Sequence, residues 1–211
     1  MTRPAFVIAV ALVLAVPASS RAQGQFSVRG FGNVGVTVFN ATQSFKAIFG
    51  KPFGPVFGGG VEIGLPVHRL FVSLAASRFH RTGHRVFVLN DQVFTFDVAD
   101  TVTITPLELT GGYRFRDNGL VPYAGAGIGW HRFEETSAQS LPGDDVKITK
   151  TGFHLLGGAE LPIRQWLSAA VDAQWSAVPN AFGEEITSVT NHYDEHDLGG
   201  FTLRAKIIFG R

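Results

Sequence analysis

The sequence predicts an all-β chain, an eight-stranded antiparallel up-and-down transmembrane β-barrel. Three observations carry this. Segments of about ten residues alternate apolar and polar side chains with a period of two, as strands with one face in lipid require. The links between these segments are alternately short and long. The chain is also greasy without long apolar runs. Hydrophobic residues make up 45% and charged residues 17% of 211 positions, with 25 Gly and 19 Phe. That charge is low for a soluble domain, yet no stretch after the N-terminus reaches the roughly 18 apolar residues of a spanning helix.

The N-terminus reads as a secretory signal. Arg3 is its charged start, 5–16 its apolar core, Pro17 breaks that core, and Ser20-Arg21-Ala22 fits small-x-small cleavage. The core is too short for a membrane anchor. The expected division is therefore a signal peptide at 1–22 and one barrel domain at 23–211. With no Cys there is no disulfide framework, thiol chemistry or Cys-based metal site. A net charge of +1 with no basic stripe points away from nucleic acid. No cofactor is expected: Gly58-Gly59-Gly60 lacks the Lys and Ser or Thr of a phosphate loop.

Eight alternating segments follow in order: 26–39, 57–65, 70–79, 102–115, 121–133, 151–161, 167–177 and 201–209. The first sets Val34, Val36 and Val38 against Arg29, Asn33 and Thr37. The last sets Phe201, Leu203, Ala205, Ile207 and Phe209 against Thr202, Arg204 and Lys206. The links at 66–69, 116–120 and 162–166 are short. Those at 40–55, 80–101, 134–150 and 178–197 are long and polar. This is the rhythm of periplasmic turns and outer loops, with both chain ends on the periplasmic side. Aromatics gather at segment ends: Tyr113, Phe115, Tyr123, Trp166 and Phe209 by the short links, Trp130, Trp175 and Phe39 by the long ones. Two aromatic girdles are expected of a membrane barrel. A soluble lipocalin-like barrel would turn an apolar face inward around a ligand and a polar face to water, and charges buried in an apolar ligand cavity are costly; the two aromatic girdles favour the membrane barrel.

The phrases PYAGAGIGW at 122–130 and GGAE at 157–160 resemble recurring strand phrases of the small eight-stranded outer-membrane proteins of the OmpA transmembrane-domain and OmpX type. The resemblance covers the whole mature chain. It implies residence in the bacterial outer membrane, contact with outer-membrane lipid and lipopolysaccharide, delivery by barrel-assembly machinery, and a monomer. One departure stands out: Gly210 and Arg211 follow the terminal aromatic Phe209.

On the inward parity lie Arg29, Glu62, Glu108, Arg114, Glu160, Asp172, Arg204 and Lys206, four acids and four bases. An eight-stranded barrel has room inside for side chains only, and lone buried charges are costly, so these should pair. A lumenal charge network that plugs the barrel is expected. Inward glycines at 58, 60, 64, 125, 127 and 129 would make room for its long side chains. Arg78 and Arg132 have lipid-facing parity at the outer ends of their segments, the level of lipopolysaccharide phosphates. Nine of the 17 acids crowd the last two long loops: Glu134, Glu135, Asp144, Asp145, Glu184, Glu185, Asp194, Glu195 and Asp197. Among them His192, Asp194, Glu195, His196 and Asp197 form a weak divalent-cation candidate; a solvated acidic loop is the plainer reading. The loop at 85–96 alternates around Asn90-Asp91 and reads as a hairpin rising above the membrane.

Some small outer-membrane barrels modify lipid A with Ser and His. Ser77, His80 and His84 are the candidates here, but Ser77 and His80 are three apart in an extended segment and fall on opposite faces. The expected function is a non-catalytic barrel serving membrane integrity or surface interaction. The alternative is a small conduit or binder for apolar molecules, and a lipid A-modifying enzyme comes last.

Overall fold

The computed structural model describes residues 26–66, 69–137, 146–182 and 188–210; the signal peptide expected at 1–22 lies outside them. Eight strands form a closed barrel in chain order. They are β1 (Ser27–Phe39), β2 (Phe53–Gly64), β3 (Leu70–Leu89), β4 (Gln92–Arg114), β5 (Val121–Ser137), β6 (Val146–Arg164), β7 (Leu167–Ala177) and β8 (Gly200–Gly210). Every neighbouring pair is antiparallel, and β8 returns to β1. The wall is thus continuous around eight ladders, as hydrocarbon demands of a spanning sheet.

The alternation sorts side chains as the period of two requires. Val34, Leu109, Ile128, Leu155, Val171 and Leu203 face outward and are exposed. Asn33, Thr110, His154, Glu160, Asp172 and Arg204 face inward and are buried. Trp166 stacks on Phe209 at 6.4 Å, and Tyr113 meets Phe115 edge-on at 5.3 Å, which makes an outward girdle at the short-turn end. Two expected girdle members are not there. Phe39 and Tyr123 are buried inside the barrel, because they share parity with inward Thr37 and Val121.

The strands outrun their expected limits. The stretch 80–101 is sheet rather than loop. β3 and β4 pair up to Leu89↔Gln92, turning at Asn90 and Asp91, whose φ of 50° and 62° suit a tight hairpin turn with the twist of its strands. The expected hairpin therefore exists, joined to the barrel wall through a register shift at His84/Arg85. The loop at 40–55 is not polar coil. It carries a helix, α1 (Thr42–Phe49). A second short helix, α2 (Val189–His192), lies in the last loop.

Two apolar clusters bracket the interior. At the long-loop end Phe45 and Phe49 of α1 pack with Phe39, Phe79, Val102, Ile104, Val178 and Leu198. Phe39 stacks on Phe45 at 4.2 Å and meets Phe79 edge-on at 4.9 Å. At the short-turn end Phe71, Tyr123, Ala170 and Ile208 form a smaller cluster.

Candidate functional site: a charged lumen beneath an apolar cap

The eight inward charges meet in two groups, each of two acids and two bases. Nearer the short turns, Arg29 lies across the ladder from Glu62 and reaches its Oε1 at 2.6 Å, and Oε1 of Glu160 on the far wall also at 2.6 Å. Arg114 pairs with Glu62 as well, and its Nε stands 3.7 Å from Glu160. Higher up, Arg204 lies across from Asp172 and donates from Nε at 2.8 Å. Lys206 contacts the other Asp172 oxygen, to which Tyr123 also donates at 2.9 Å. Arg204 approaches Glu108 at 3.6 Å. Gln174 joins both, accepting from Arg204 and donating to Glu108, each at 2.6 Å. Each group balances its own charge, the condition under which buried ions are tolerable.

The aromatic lining assists. The Arg114 guanidinium sits over Phe71 at 4.6 Å and the Lys206 ammonium over Phe31 at 5.0 Å, which offers each cation a ring face in place of water. The inward glycines act differently from expectation. Beside Gly127, an added Cβ would stand 2.7 Å from the His154 ring and 2.0 Å from the Leu109 carbonyl; beside Gly60, it would meet the Phe31 ring at 2.8 Å. They make room for rings and tight strand packing more than for Arg and Glu. Gly129 alone of those named borders a charged chain, Glu108.

Two small cavities flank the Glu108–Gln174–Arg204 layer, of about 30 Å³ below and about 40 Å³ above. Each has room for roughly two or three waters. The upper one is lined by Ser77, His131 and Ser176, and roofed by Phe39, Phe79 and Ile104. His154 is 1% exposed, bonds Thr110 at 2.8 Å, and keeps Nδ1 at 4.0 Å from Glu108. Tyr123, Gln174, His131 and His154 complete the lumen. All four share the parity of the charged residues, a signal that points inward for each, though for Tyr123 it competes with the girdle pattern at a strand end.

The cap is tied down by loops distant in sequence. Glu195 accepts the amides of Gln43 and Ser44, both at 2.8 Å, and the Ser44 hydroxyl at 2.7 Å. It thereby caps a helix whose own N-cap, Ala41, offers no side-chain bond. Arg81 donates to the Phe49 carbonyl at 3.1 Å. His192 reaches Asp91 at the hairpin tip at 3.1 Å.

These ties correct the divalent-cation candidate. Glu195 is committed to α1, Asp197 accepts the amides of Val178 and Gly199 at 2.9 and 2.6 Å, and Asp194 faces His196 at 3.2 Å. Among the described residues no three such side chains converge on one point. Glu195 and Asp197 serve backbone amides, a use that composition cannot distinguish from metal binding. Asp144, Asp145, Glu184 and Glu185 lie outside the described residues. Ser77 faces the upper cavity, while outward His80 bonds Thr103 at 2.8 Å and His84 stands 3.8 Å from Asp97. The three do not meet.

Arg78 and Arg132 are both outward and exposed, and Arg132 contacts Glu134 on its own strand. Beyond the Trp130 girdle, Glu135 faces Asp100, which is 2% exposed. Burial, then the hydrogen bond with Asp100 and its charge, push the Glu135 carboxyl up to about 8, against the pull of Arg85.

The model of the family "Outer membrane protein beta-barrel domain" matches residues 6–202. The fold is similar to that of a major outer membrane protein from Thermus thermophilus, with 12% identity and TM-score 0.57 over 88% of this chain and 99% of that one. It is similar to Neisserial surface protein A, with 12% identity and TM-score 0.53 over 88% and 97%. It is also similar to the N-terminal β-barrel domain of Pseudomonas aeruginosa OprF, with 16% identity and TM-score 0.50 over 90% and 100%. No curated protein sequence matches the chain. The family match spans nearly all of the barrel that the structure describes, and its setting is the bacterial outer membrane. The chain belongs to the outer membrane protein β-barrel domain family.

Proposed function

We propose that this barrel is a non-catalytic outer-membrane protein with a closed lumen, serving membrane integrity and surface contact rather than diffusion. One observation carries the reading: all eight inward charges are engaged with one another, directly below an aromatic cap that α1 inserts into the mouth. A diffusing solute would have to part both layers. The continuous wall speaks against a lateral path for apolar molecules. Surface contact is supported by the β3–β4 hairpin. There Phe87 stacks with Phe94 and Phe96 at 5.4 and 4.6 Å, and the latter two are exposed at 41% and 48%.

The test is single-channel recording of the refolded protein in planar bilayers. Wild type is expected to give no stable steps of porin size. Long-lived steps of that size would overturn the closed lumen.

A further inference from the structure

The outer wall of β3 to β6 changes character in a single step. Reading cross-strand rows toward the long-loop end, Leu74, Leu109, Ile128 and Phe153 are level, and then Ala76, Leu107, Trp130 and Thr151. Ala76 pairs with Leu107 and Phe79 with Ile104, which sets Arg78 level with Thr105. Thr105 pairs with Arg132, and Arg132 with Thr149. The first polar row above the apolar belt is therefore Arg78, Thr105, Arg132, Thr149. The next is His80, Thr103, Glu134, Lys147.

We propose that Arg78 and Arg132 form a clamp for the phosphate groups of a phosphorylated glycolipid in the outer leaflet. The two arginines sit two strands apart, about 9–10 Å, with the Thr105 hydroxyl between them and Thr149 beside them. Planar guanidinium forks match phosphate oxygens in pairs. Glu134 is the one acid on this patch. It touches Arg132 and has Lys147 directly across from it, so the patch keeps a positive balance. An exposed pair such as Arg132–Glu134 is worth little in water and yields readily to a phosphate with more charge. The arginines are not members of a general ring of snorkelling cations: the outward residues of β7, β8, β1 and β2 include no charged side chain. The patch lies one row beyond Trp130, so a lipid whose acyl chains lie along Ile128 and Phe153 has its headgroup at the arginines.

The full-length mature protein, in phosphatidylcholine nanodiscs doped with bis-phosphorylated lipid A, dephosphorylated lipid A or phosphatidylglycerol, tests this by native mass spectrometry of retained lipid. Wild type should retain the bis-phosphorylated form at least about ten-fold over the dephosphorylated one. The double variant Arg78→Gln/Arg132→Gln should lose that preference, and Arg78→Lys/Arg132→Lys should keep part of it. Trp130 emission, recorded in a Trp166→Phe/Trp175→Phe background, should shift with bis-phosphorylated lipid A only while the arginines are present. Heat-modified gel mobility checks that each variant folds. Equal retention of the two lipid A forms, or an unchanged preference in the double glutamine variant, overturns the clamp. Equal retention of phosphatidylglycerol overturns the glycolipid assignment.

Discussion

Asp172 is buried with three donors on its two oxygens, from Arg204, Lys206 and Tyr123. Removing its charge strands two cations in the lumen, and breaking a buried pair from one side costs about 3–5 kcal/mol. Asp172→Asn should therefore lower the urea midpoint of the refolded barrel by an amount equivalent to about 3 kcal/mol, and adding Lys206→Met should recover part of it. Glu135 gives a pH dependence of opposite sense to an ordinary carboxylate. Its folded value is about 8 against a usual 4.5. Between these values the folded chain holds a proton that the unfolded chain has released, so stability falls as pH rises through that window and then levels off. Hydrogen exchange in the outer parts of β4 and β5, corrected for intrinsic rates, should be slower at about pH 5 than at about pH 9, and Glu135→Gln should flatten the difference. At this scale parity made much legible: Arg29 to Lys206 could be placed inside from spacing alone. It would also have placed Phe39 and Tyr123 there, but an aromatic near a strand end satisfies the girdle pattern equally well. Only the packing against α1 and the bond to Asp172 separate the two readings.

The helix α1 is held mostly from outside its own segment. Its N-terminal amides have no local cap, and Glu195, over 150 positions later, supplies one. A lost cap costs about 0.5–2 kcal/mol. Glu195→Ala should speed amide exchange at Gln43 and Ser44 about ten-fold while leaving the β1–β2 ladder unchanged. α1 was not read from the sequence, where 40–55 looks like a long polar link; the signal it carries is that Phe45 and Phe49 lie four apart, the spacing of one helical face, and they meet at 5.6 Å. Gly50 in the left-handed region at φ 75° ends the helix. The long β3–β4 hairpin was legible over 85–96, where alternation flanks the Asn90-Asp91 turn, but not at 80–84 and 97–101, where it joins the barrel. Outward Thr82, Thr101 and Thr103 have no lipid to face, and a strand in water shows no apolar stripe to mark where it continues.

The described barrel is a stack of layers inside one wall: apolar contacts at the short turns, two neutral charge groups with a small cavity on either side of the Glu108 layer, and an aromatic cap. The eight-stranded count and the antiparallel order were readable because each strand had to bury one face and show the other to lipid. The cap was not, because it depends on contacts among loops that share no periodicity. Gly210, the residue past Phe209, has a place in the wall. It pairs with Arg29 at φ 125°, and a Cβ there would strike the Val28 carbonyl at 2.6 Å. The last strand thus finishes the ladder on the first residues of the barrel, with nearly the whole domain looped out between them. Such distant pairing is slow to find, and until it forms the sheet carries two raw edges open to other chains. Arg29 also bonds Glu160, 131 positions away, so its charge stays unmatched on that side while the sheet is open. Sealing the seam and completing the ion pairs that cross the barrel then go together. A chain released before its final strand would be both sticky at its edges and charged at its heart, unfit to enter lipid until the circle closes.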